Sequence, residues 1–410
     1  MRKGSFGALR QLGAKASAPK PGKGMPIAVD FGASALKVFQ LTPGEQPGFG
    51  AAAAIDTPDD LLDDASARLA FQVQQLPGLI RGGGFKGRRA VCLIPACLTH
   101  TTHVQVPKGD PAVIESGAKL AVSAQLSCSP DALVVRHHEV GPAHDPGKSE
   151  VITVAASRGV VSRLMSGLAA AKLEPVGMRT EAVALLRGFN SLSLTPSDDV
   201  CLYLDVGYSA TKAVIAKGNR LLLARTIEIG GRALDEEIAR RRKISIERSH
   251  QSRMDCSEFS GVERAPVATV TGLSAGDTAR SARVGESGLR MPPPRAEVPE
   301  RTETKRSVSV VPDVQETLEM LGDEVAMCLR YHHSLFPDAP VTRAVLTGGE
   351  SRQLTLCRRL AGVVRVAVQA GDPTRALVRS GKEPTIGVDA AAPMPAWAAV
   401  LGLGLCPTDL

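Results

Sequence analysis

The fold of this chain is decided by a stretch that occurs twice, first as Ile27-Ala-Val-Asp-Phe-Gly-Ala-Ser-Ala-Leu-Lys37 and again as Leu202-Tyr-Leu-Asp-Val-Gly-Tyr-Ser-Ala-Thr-Lys212. Each copy begins with an apolar run typical of a buried strand, reaches an aspartate, and passes a glycine into a second strand-like run. Four residues of the two copies fall in register: Asp30 with Asp205, Gly32 with Gly207, Ser34 with Ser209, and Lys37 with Lys212. We therefore predict two similar strand–turn–strand hairpins, about half a chain apart.

Such a turn suits a phosphate group. Its backbone N–H groups and its short hydroxyl can donate hydrogen bonds to phosphate oxygens, and its aspartate can hold a metal ion through water. Two hairpins that face each other across a cleft would hold one polyphosphate from both sides. The alternative is a pair of ordinary Asp-Gly hairpins in an α/β protein. The repetition in register favours the phosphate site.

Composition narrows the function classes. A chain of 410 residues can bury the cores of two or three domains. Its aromatic content of 3% is low for a protein that stacks nucleic-acid bases, and its net charge of +7 comes from dispersed basic residues, so we expect no nucleic-acid partner. The eight cysteines form no C-x-x-C pair, and the N-terminus lacks the apolar core of a signal peptide. We therefore expect a cytoplasmic protein.

Composition and periodicity also divide the chain into parts. Two α/β regions are predicted, the first over residues 25–195 and the second over residues 196–405. Residues 1–24 are basic and rich in Gly, Ala and Pro, which is typical of a flexible extension. Residues 249–307 are rich in Ser, Arg, Glu, Gly and Pro and lack periodic hydrophobic positions. We expect this segment to be a disordered insert within the second region.

Two diglycine turns follow the second hairpin. Gly230 and Gly231 come between a predicted strand and a predicted helix, where glycine lets the backbone approach a ligand and a helix N-terminus favours an anion. Gly348 and Gly349 repeat this arrangement, and an adenine or a sugar could lie against their surface. Either pair could instead be only a tight turn before a helix. The order of two acidic hairpins and two diglycine turns favours a nucleotide as the ligand.

These residues resemble the actin-like ATPase superfamily, which includes actin, sugar kinases and FtsA, and within it the PilM family of type IV pilus assembly. The segment Asp30-Phe-Gly-Ala-Ser-Ala-Leu-Lys37 resembles the D-I-G-S-S-S-V-K pattern that opens that family's sequences. Later segments resemble its second phosphate region and its C-terminal succession: Arg225-Thr-Ile-Glu-Ile-Gly-Gly-Arg-Ala-Leu234, Leu346-Thr-Gly-Gly-Glu350, Ala370-Gly-Asp-Pro373 and Trp397-Ala-Ala-Val-Leu-Gly-Leu-Gly404. The resemblance covers roughly residues 25–247 and 310–405.

The resemblance implies an α/β protein with the actin-like ATPase fold, in which two related lobes enclose a nucleotide cleft. The implied ligand is ATP with Mg²⁺, whose hydration shell Asp30 and Asp205 would hold. The residues expected to contact phosphate are Gly32, Ala33, Ser34, Lys37, Gly207, Tyr208, Ser209, Gly230 and Gly231. Gly348 and Gly349 would border the adenosine. We expect Lys37 to approach a phosphate and Lys212 to point to solvent.

No catalytic residue is assignable from the sequence. Glu181 either reaches the cleft or caps its helix, and we favour the cap. The insert at 249–307 falls in the part that should lie over the adenine. We therefore expect ATP binding with weak or no ATPase activity.

The resemblance also implies a scaffolding role in a type IV pilus or related secretion machine. Residues 88–157 would form an extra subdomain, whose groove against the first lobe receives the N-terminal cytoplasmic peptide of a PilN-like protein. That partner would bring the chain to the cytoplasmic face of the inner membrane, and self-association is left open. Two alternatives are an FtsA-like cell-division adaptor, for which residues 403–410 look too short and polar to be a membrane helix, and a small-molecule kinase.

Overall fold

The computed structural model describes residues 24–143, 145–196, 198–255 and 314–406. The strands in chain order are β1 (Ile27–Phe31), β2 (Ala35–Thr42), β3 (Gly48–Asp56), β4 (Arg89–Leu93), β5 (Thr99–Pro107), β6 (Leu133–Pro142), β7 (Lys148–Ser157), β8 (Glu174–Arg179), β9 (Val200–Val206), β10 (Thr211–Lys217), β11 (Arg220–Ile227), β12 (Arg343–Thr347), β13 (Ala367–Ala370) and β14 (Thr385–Ile386). The helices are α1 (Ala65–Gly82), α2 (Pro111–Gln125), α3 (Arg158–Ala170), α4 (Glu181–Ser191), α5 (Gly231–Arg242), α6 (Ile246–Asp255), α7 (Gln315–Leu335), α8 (Leu354–Val364) and α9 (Ala398–Gly404). Across these four ranges, no helix combines the length and the apolar character that a bilayer crossing requires.

The first lobe is built on a six-stranded sheet with the order β14-β3-β2-β1-β4-β8. β1 lies in its interior, antiparallel to β2 and parallel to β4. All of its residues are buried, which explains its continuous apolar run. One face of the sheet packs against α1 and α3 in a cluster that contains Leu69 and Leu164. The other face packs against α9, which contributes Leu401.

The second lobe repeats this topology. Its five-stranded sheet has the order β11-β10-β9-β12-β13, in which β9 is antiparallel to β10 and parallel to β12. β9 therefore occupies the position that β1 holds in the first lobe. α7 and α8 pack against the sheet in a cluster that contains Val325, Leu360 and Tyr203. The prediction of two related α/β lobes is confirmed by this duplication.

A three-stranded antiparallel sheet, β5-β7-β6, projects from the first lobe. α2 covers one face of it through Ile114 and Val122. The other face reaches the second lobe, where the Tyr331 hydroxyl of α7 donates a hydrogen bond to Glu150 Oε1 at 3.2 Å. The predicted subdomain at 88–157 includes β4, but β4 does not belong to the three-stranded sheet. It pairs with β1 in the six-stranded sheet of the first lobe. Binding of a partner by this region stays a prediction.

Two predicted boundaries differ from the structure. The segment after β13, predicted as part of the second lobe at 196–405, returns to the first lobe, where β14 pairs with β3 and α9 packs against β1. Its close fit against α4 depends on Gly402, because a Cβ there would overlap the Ala184 carbonyl oxygen. The predicted disordered insert at 249–307 begins with helix, since α6 extends to Asp255 and Ser249 is fully buried. The rest of that insert lies outside the described residues, as do residues 1–23 of the predicted extension.

Candidate functional site

The two acidic hairpins place an aspartate and a lysine at matched positions. Asp30 is the penultimate residue of β1 and is paired across the ladder with Lys37 of β2. Asp205 of β9 is paired in the same way with Lys212 of β10. The Nζ–Oδ2 distances are 3.8 Å in the first pair and 3.9 Å in the second. The sequence repeat therefore corresponds to a repeat in three dimensions.

The turns of the hairpins are also alike. A Cβ on Gly32 would lie 2.9 Å from the Ala35 carbonyl oxygen, and one on Gly207 would lie 3.1 Å from that of Ala210. Both turns therefore need glycine to close tightly. Ser34 and Ser209 are exposed at the tips, whereas Ala33 and Tyr208 are partly buried. The hydroxyls are accessible to a ligand in both copies.

The two aspartates lie in one electrostatic environment. Burial raises the pKa of Asp30 to about 6. The charges of Lys37 and Lys212 oppose this rise, whereas those of Glu181 and Asp205 add to it. Burial raises the pKa of Asp205 as well. Contacts bring the hairpins together as well: Lys37 Nζ donates to the Ala396 carbonyl at 2.9 Å, and the N–H of Gly348, which lies against Asp205, donates to the Pro395 carbonyl at 3.3 Å. The two hairpins therefore face one cleft.

Glu181 contributes a third carboxylate to this cleft. It stands in the first turn of α4, but the helix is capped by Thr180, whose hydroxyl accepts from the Val183 N–H. Glu181 Oε2 lies 2.7 Å from Lys212 Nζ. The cap favoured from the sequence is therefore wrong, and so is the solvent-facing Lys212. The Lys212 side chain is only 17% exposed, and the two carboxylates beside it raise its pKa despite burial.

The first diglycine supports the second hairpin. A Cβ on Gly230 would lie 2.5 Å from the Tyr208 carbonyl oxygen, and one on Gly231 would overlap the Glu350 carboxylate. The Gly231 N–H donates to the Gly207 carbonyl at 3.1 Å, and the following N–H donates to that of Tyr208 at 2.8 Å. These amides are used within the fold, because the start of α5 docks onto the hairpin. The predicted anion contacts of Gly230 and Gly231 do not match this geometry.

The two residues of the second diglycine, Gly348 and Gly349, have different surroundings. Gly348 has a φ of +91°, and a Cβ there would overlap the Asp205 carboxylate and lie 2.7 Å from the Val206 carbonyl carbon. Gly348 therefore allows β12 to end directly against Asp205. For a Cβ on Gly349, the nearest atom is Ala396 Cβ at 3.9 Å. Of the two, Gly349 has the open side that a ligand would need.

A buried ion network lies next to the second hairpin, and the sequence did not reveal it. Arg253 of α6 donates to both carboxylate oxygens of Asp235, at 2.6 and 2.9 Å, and also pairs with Glu350. His250 Nδ1 lies 2.8 Å from Asp235 Oδ2, and its ring stands edge-on to Tyr208, whose pKa burial raises to about 12. This network fixes α6 to α5 and to the turn after Gly349. The sequence around α6 is polar and gives no sign of burial. Arg253 becomes buried only because Asp235 and Glu350, which are distant in sequence, pair with it.

The cleft fits a hydrated divalent cation. Asp30 and Asp205 are largely buried carboxylates whose pKa values are raised chiefly by burial, and the neighbouring Glu181 carboxylate adds to both rises. A cation would favour the charged form of both carboxylates against this cost of burial. Within the described ranges, no cluster of three or more His, Cys, Asp or Glu side chains is arranged to hold a metal ion directly. Such an ion would take its remaining ligands from water and phosphate oxygens, as Mg²⁺ commonly does.

Comparison with known proteins identifies the family. The family described as "Type IV pilus assembly protein PilM" matches residues 28–258, which is more than half of the chain. The chain belongs to the PilM family. The resemblance found in the sequence is thereby confirmed. As a PilM-family protein, the chain is a type IV pilus assembly protein of the actin-like ATPase fold.

One solved structure shares the fold of this PilM-family chain, and others are similar to a lesser degree. The structure described as "PilM-PilN type IV pilus biogenesis complex" is 19% identical, with a TM-score of 0.68, and the match covers 93% of this chain and 99% of that one. The ethanolamine utilization protein EutJ from Carboxydothermus hydrogenoformans is 12% identical over 95% of this chain and 92% of its own, with a TM-score of 0.45. MreB5 of Spiroplasma citri bound to ADP is 12% identical over 86% and 93%, with a TM-score of 0.43. No curated protein sequence matches the chain.

Proposed function

We propose that this PilM-family protein binds ATP with Mg²⁺ between its two hairpins. The observation that carries the proposal is the matched Asp–Lys pair in each lobe, together with the influence of Asp205 on the pKa of Asp30. Two such pairs that face one cleft offer carboxylates to a hydrated cation and ammonium groups to phosphate oxygens. A polyphosphate with its Mg²⁺ carries both the cation and the anionic oxygens that these groups would bind.

Each hairpin has a defined part in this proposal. Asp30 and Asp205 hold water ligands of the Mg²⁺. Lys37 already donates to the Ala396 carbonyl at 2.9 Å, and an ammonium group has three donors, so it can neutralise β/γ-phosphate charge while it keeps this contact. The residues that would bind the phosphate oxygens lie in the two turns: Gly32, Ala33, Ser34, Gly207, Tyr208 and Ser209.

The adenosine would lie beside Gly349. Its open side admits a flat ring where a Cβ would be in the way. The other three glycines of the two diglycine turns act indirectly. Gly230 and Gly231 allow α5 to pack against the second hairpin, and Gly348 allows β12 to pack against Asp205. The Arg253 network then keeps α6 in place next to the turn after Gly349.

The same arrangement favours slow hydrolysis or none. Of the three carboxylates described in the cleft, Glu181 is the one outside the hairpins, and its Oε2 lies 2.7 Å from Lys212 Nζ. An ammonium group beside a carboxylate favours its charged form, which makes the carboxylate a weaker general base toward water. Nucleotide would then act mainly by favouring a closed arrangement of the lobes.

The assembly role would depend on a membrane partner. We propose that the groove between the three-stranded sheet and the first lobe receives the N-terminal cytoplasmic peptide of a PilN-like protein. Family membership and the fold shared with the PilM–PilN complex support this. The partner would hold the chain at the cytoplasmic face of the inner membrane, and closure of the lobes on nucleotide would alter the affinity for the peptide.

Isothermal calorimetry tests the nucleotide site. Wild-type protein should bind ATP in the presence of Mg²⁺, and the variant with Asp30→Asn and Asp205→Asn should lose this binding while it stays folded. The matched control is Asp338→Asn, which removes an exposed aspartate outside the cleft. Binding by the double variant at the affinity of the control would refute the assignment.

A peptide titration tests the partner separately. A fluorescent peptide from the cytoplasmic N-terminus of the PilN-like protein encoded with this chain should bind, and Mg²⁺ with ATP should change its affinity. No binding in either condition would refute the partner. Equal binding in both conditions would refute only the coupling between nucleotide and peptide.

A further inference from the structure

A groove on the second lobe collects four arginines. It lies between α7 and α8 as an open depression of about 650 Å³, within the size range of ligand sites. Arg330 projects from α7, and Arg358, Arg359 and Arg365 come from α8 and its C-terminal end. We infer that this groove binds an acidic peptide segment of a partner protein.

The charge of the groove is largely uncompensated. Arg330, Arg358 and Arg365 are exposed, and the described part of the chain offers none of them an ion-pair partner. Arg359 pairs with Glu319 at 3.4 Å, but both side chains are about half exposed, so the pair compensates little. Four like charges around one groove repel each other and create a positive potential. An anionic ligand would relieve this repulsion.

The floor of the groove selects the class of ligand. Leu329 and Val363 line it between the arginines, and both are partly buried against the core of the second lobe. Guanidinium groups bind carboxylates through two parallel hydrogen bonds. A segment with apolar residues flanked by Glu or Asp would satisfy the rim and the floor together. Inorganic phosphate would leave the floor uncovered, and a flat bilayer surface would not reach into a groove between two helices.

The groove is separate from the proposed nucleotide site. Its lining comes from α7 and α8, whereas the two hairpins and Glu181 come from β1, β2, β9, β10 and the start of α4. A partner could therefore bind here in either state of the cleft. The inference stands whether or not the chain binds ATP.

Fluorescence anisotropy with a designed probe tests the inference. The probe is a fluorescein-labelled peptide that repeats Glu-Leu-Leu-Glu, and full-length protein should bind it with an affinity that falls as salt is added. The variant with Arg358→Glu and Arg365→Glu should bind about a hundredfold more weakly, since each reversed arginine removes a charge-assisted contact worth about tenfold. The matched control, with Arg81→Glu and Arg242→Glu, makes the same change of charge at exposed sites outside the groove.

Two further probes separate the alternatives. A peptide with serine in place of every leucine should bind at least about tenfold more weakly, because it cannot cover the floor. Vesicles containing phosphatidylglycerol should not bind through Arg358 and Arg365. Failure of the wild-type protein to bind the first probe would overturn the inference, as would equal losses in groove and control variants. Groove-dependent binding of vesicles without binding of the peptide would also overturn it.

Discussion

The two hairpins have the same sequence design but different support. In the first, Lys37 donates to the Ala396 carbonyl, so the hairpin is held by the returning segment that precedes α9. In the second, Lys212 pairs with the Glu181 carboxylate at 2.7 Å, and among the described residues Lys37 has no comparable partner outside its own hairpin other than the Ala396 carbonyl. The repeated motif therefore determines the chemistry that faces the cleft, while distant parts of the chain determine how each copy is held.

Backbone packing adds to this difference. The second hairpin and the end of β9 are approached by Gly230 and Gly348, neither of which has room for a Cβ. This close packing predicts that the second copy tolerates fewer changes around it.

The largest effect is expected at Gly348. Gly348→Ala should lower the free energy of unfolding by about 3 kcal/mol or more, because the residue has positive φ and the new Cβ would meet Val206 and the Asp205 carboxylate. Gly349→Ala is the matched control and should change it by less than about 1 kcal/mol, since no neighbour lies closer than 3.9 Å. Urea denaturation measures both. Equal losses in the two variants would contradict the packing described for β12.

The next largest effect should separate the two lysines. Lys212→Met leaves the largely buried Glu181 and Asp205 carboxylates without their ammonium partner and should destabilise the fold by roughly 2–4 kcal/mol. Lys37→Met loses one hydrogen bond and a 3.8 Å contact with Asp30, so a loss of roughly 1–2 kcal/mol is expected. Thermal and urea unfolding at neutral pH give the comparison. A larger loss for Lys37→Met would reverse the order proposed for the two supports.

Asp30→Asn is expected to stabilise the ligand-free protein by roughly 1–3 kcal/mol at neutral pH. The pKa of Asp30 is raised to about 6 in the folded state, so the folded chain binds a proton more tightly than the unfolded chain does. The stability of the wild-type protein relative to the variant should therefore fall as pH rises from about 4 to about 6 and stay low above that. Unfolding of both proteins across this range is the measurement. A constant difference between them would contradict the raised pKa.

The smallest effect on stability should come from the serines at the hairpin tips. Ser34 and Ser209 are both exposed, so Ser34→Ala and Ser209→Ala should each leave the free energy of unfolding within about 0.5 kcal/mol of wild type. Each should weaken ATP binding by up to about tenfold through the loss of one hydroxyl donor. Calorimetry on the two variants would show whether the copies contribute alike. A change at one serine alone would make the site asymmetric.

The hairpins could be predicted from the sequence because their signals are local. A buried strand, an aspartate and a glycine turn are specified by neighbouring residues, and the ladder then places each lysine opposite its aspartate. The position of Lys212 in the cleft depends on Glu181, which belongs to another helix. Its burial was therefore not visible in the pattern around the second hairpin.

Other elements depend on long-range packing in the same way. β3 contains Ala51-Ala-Ala-Ala54, which carries no strand propensity, and it forms because β2 offers it a ladder. The polar sequence of α6 predicts a solvent-exposed segment, but the pairing of Arg253 with Asp235 and Glu350 fixes it to the second lobe. α9 could be predicted as a helix, but its place in the first lobe depends on the close approach that Gly402 allows.

The central claim is that the two hairpins hold one ligand, and a double-mutant cycle on ATP affinity tests it most directly. Asp30→Asn, Asp205→Asn and the combined variant would be titrated with ATP and Mg²⁺ by calorimetry. If both aspartates hold the same hydrated ion, either single change should remove most of the Mg²⁺-dependent affinity and the second should add little, so the effects are not additive. Fully additive effects, or a variant of either aspartate that binds ATP and Mg²⁺ like the wild type, would contradict the claim.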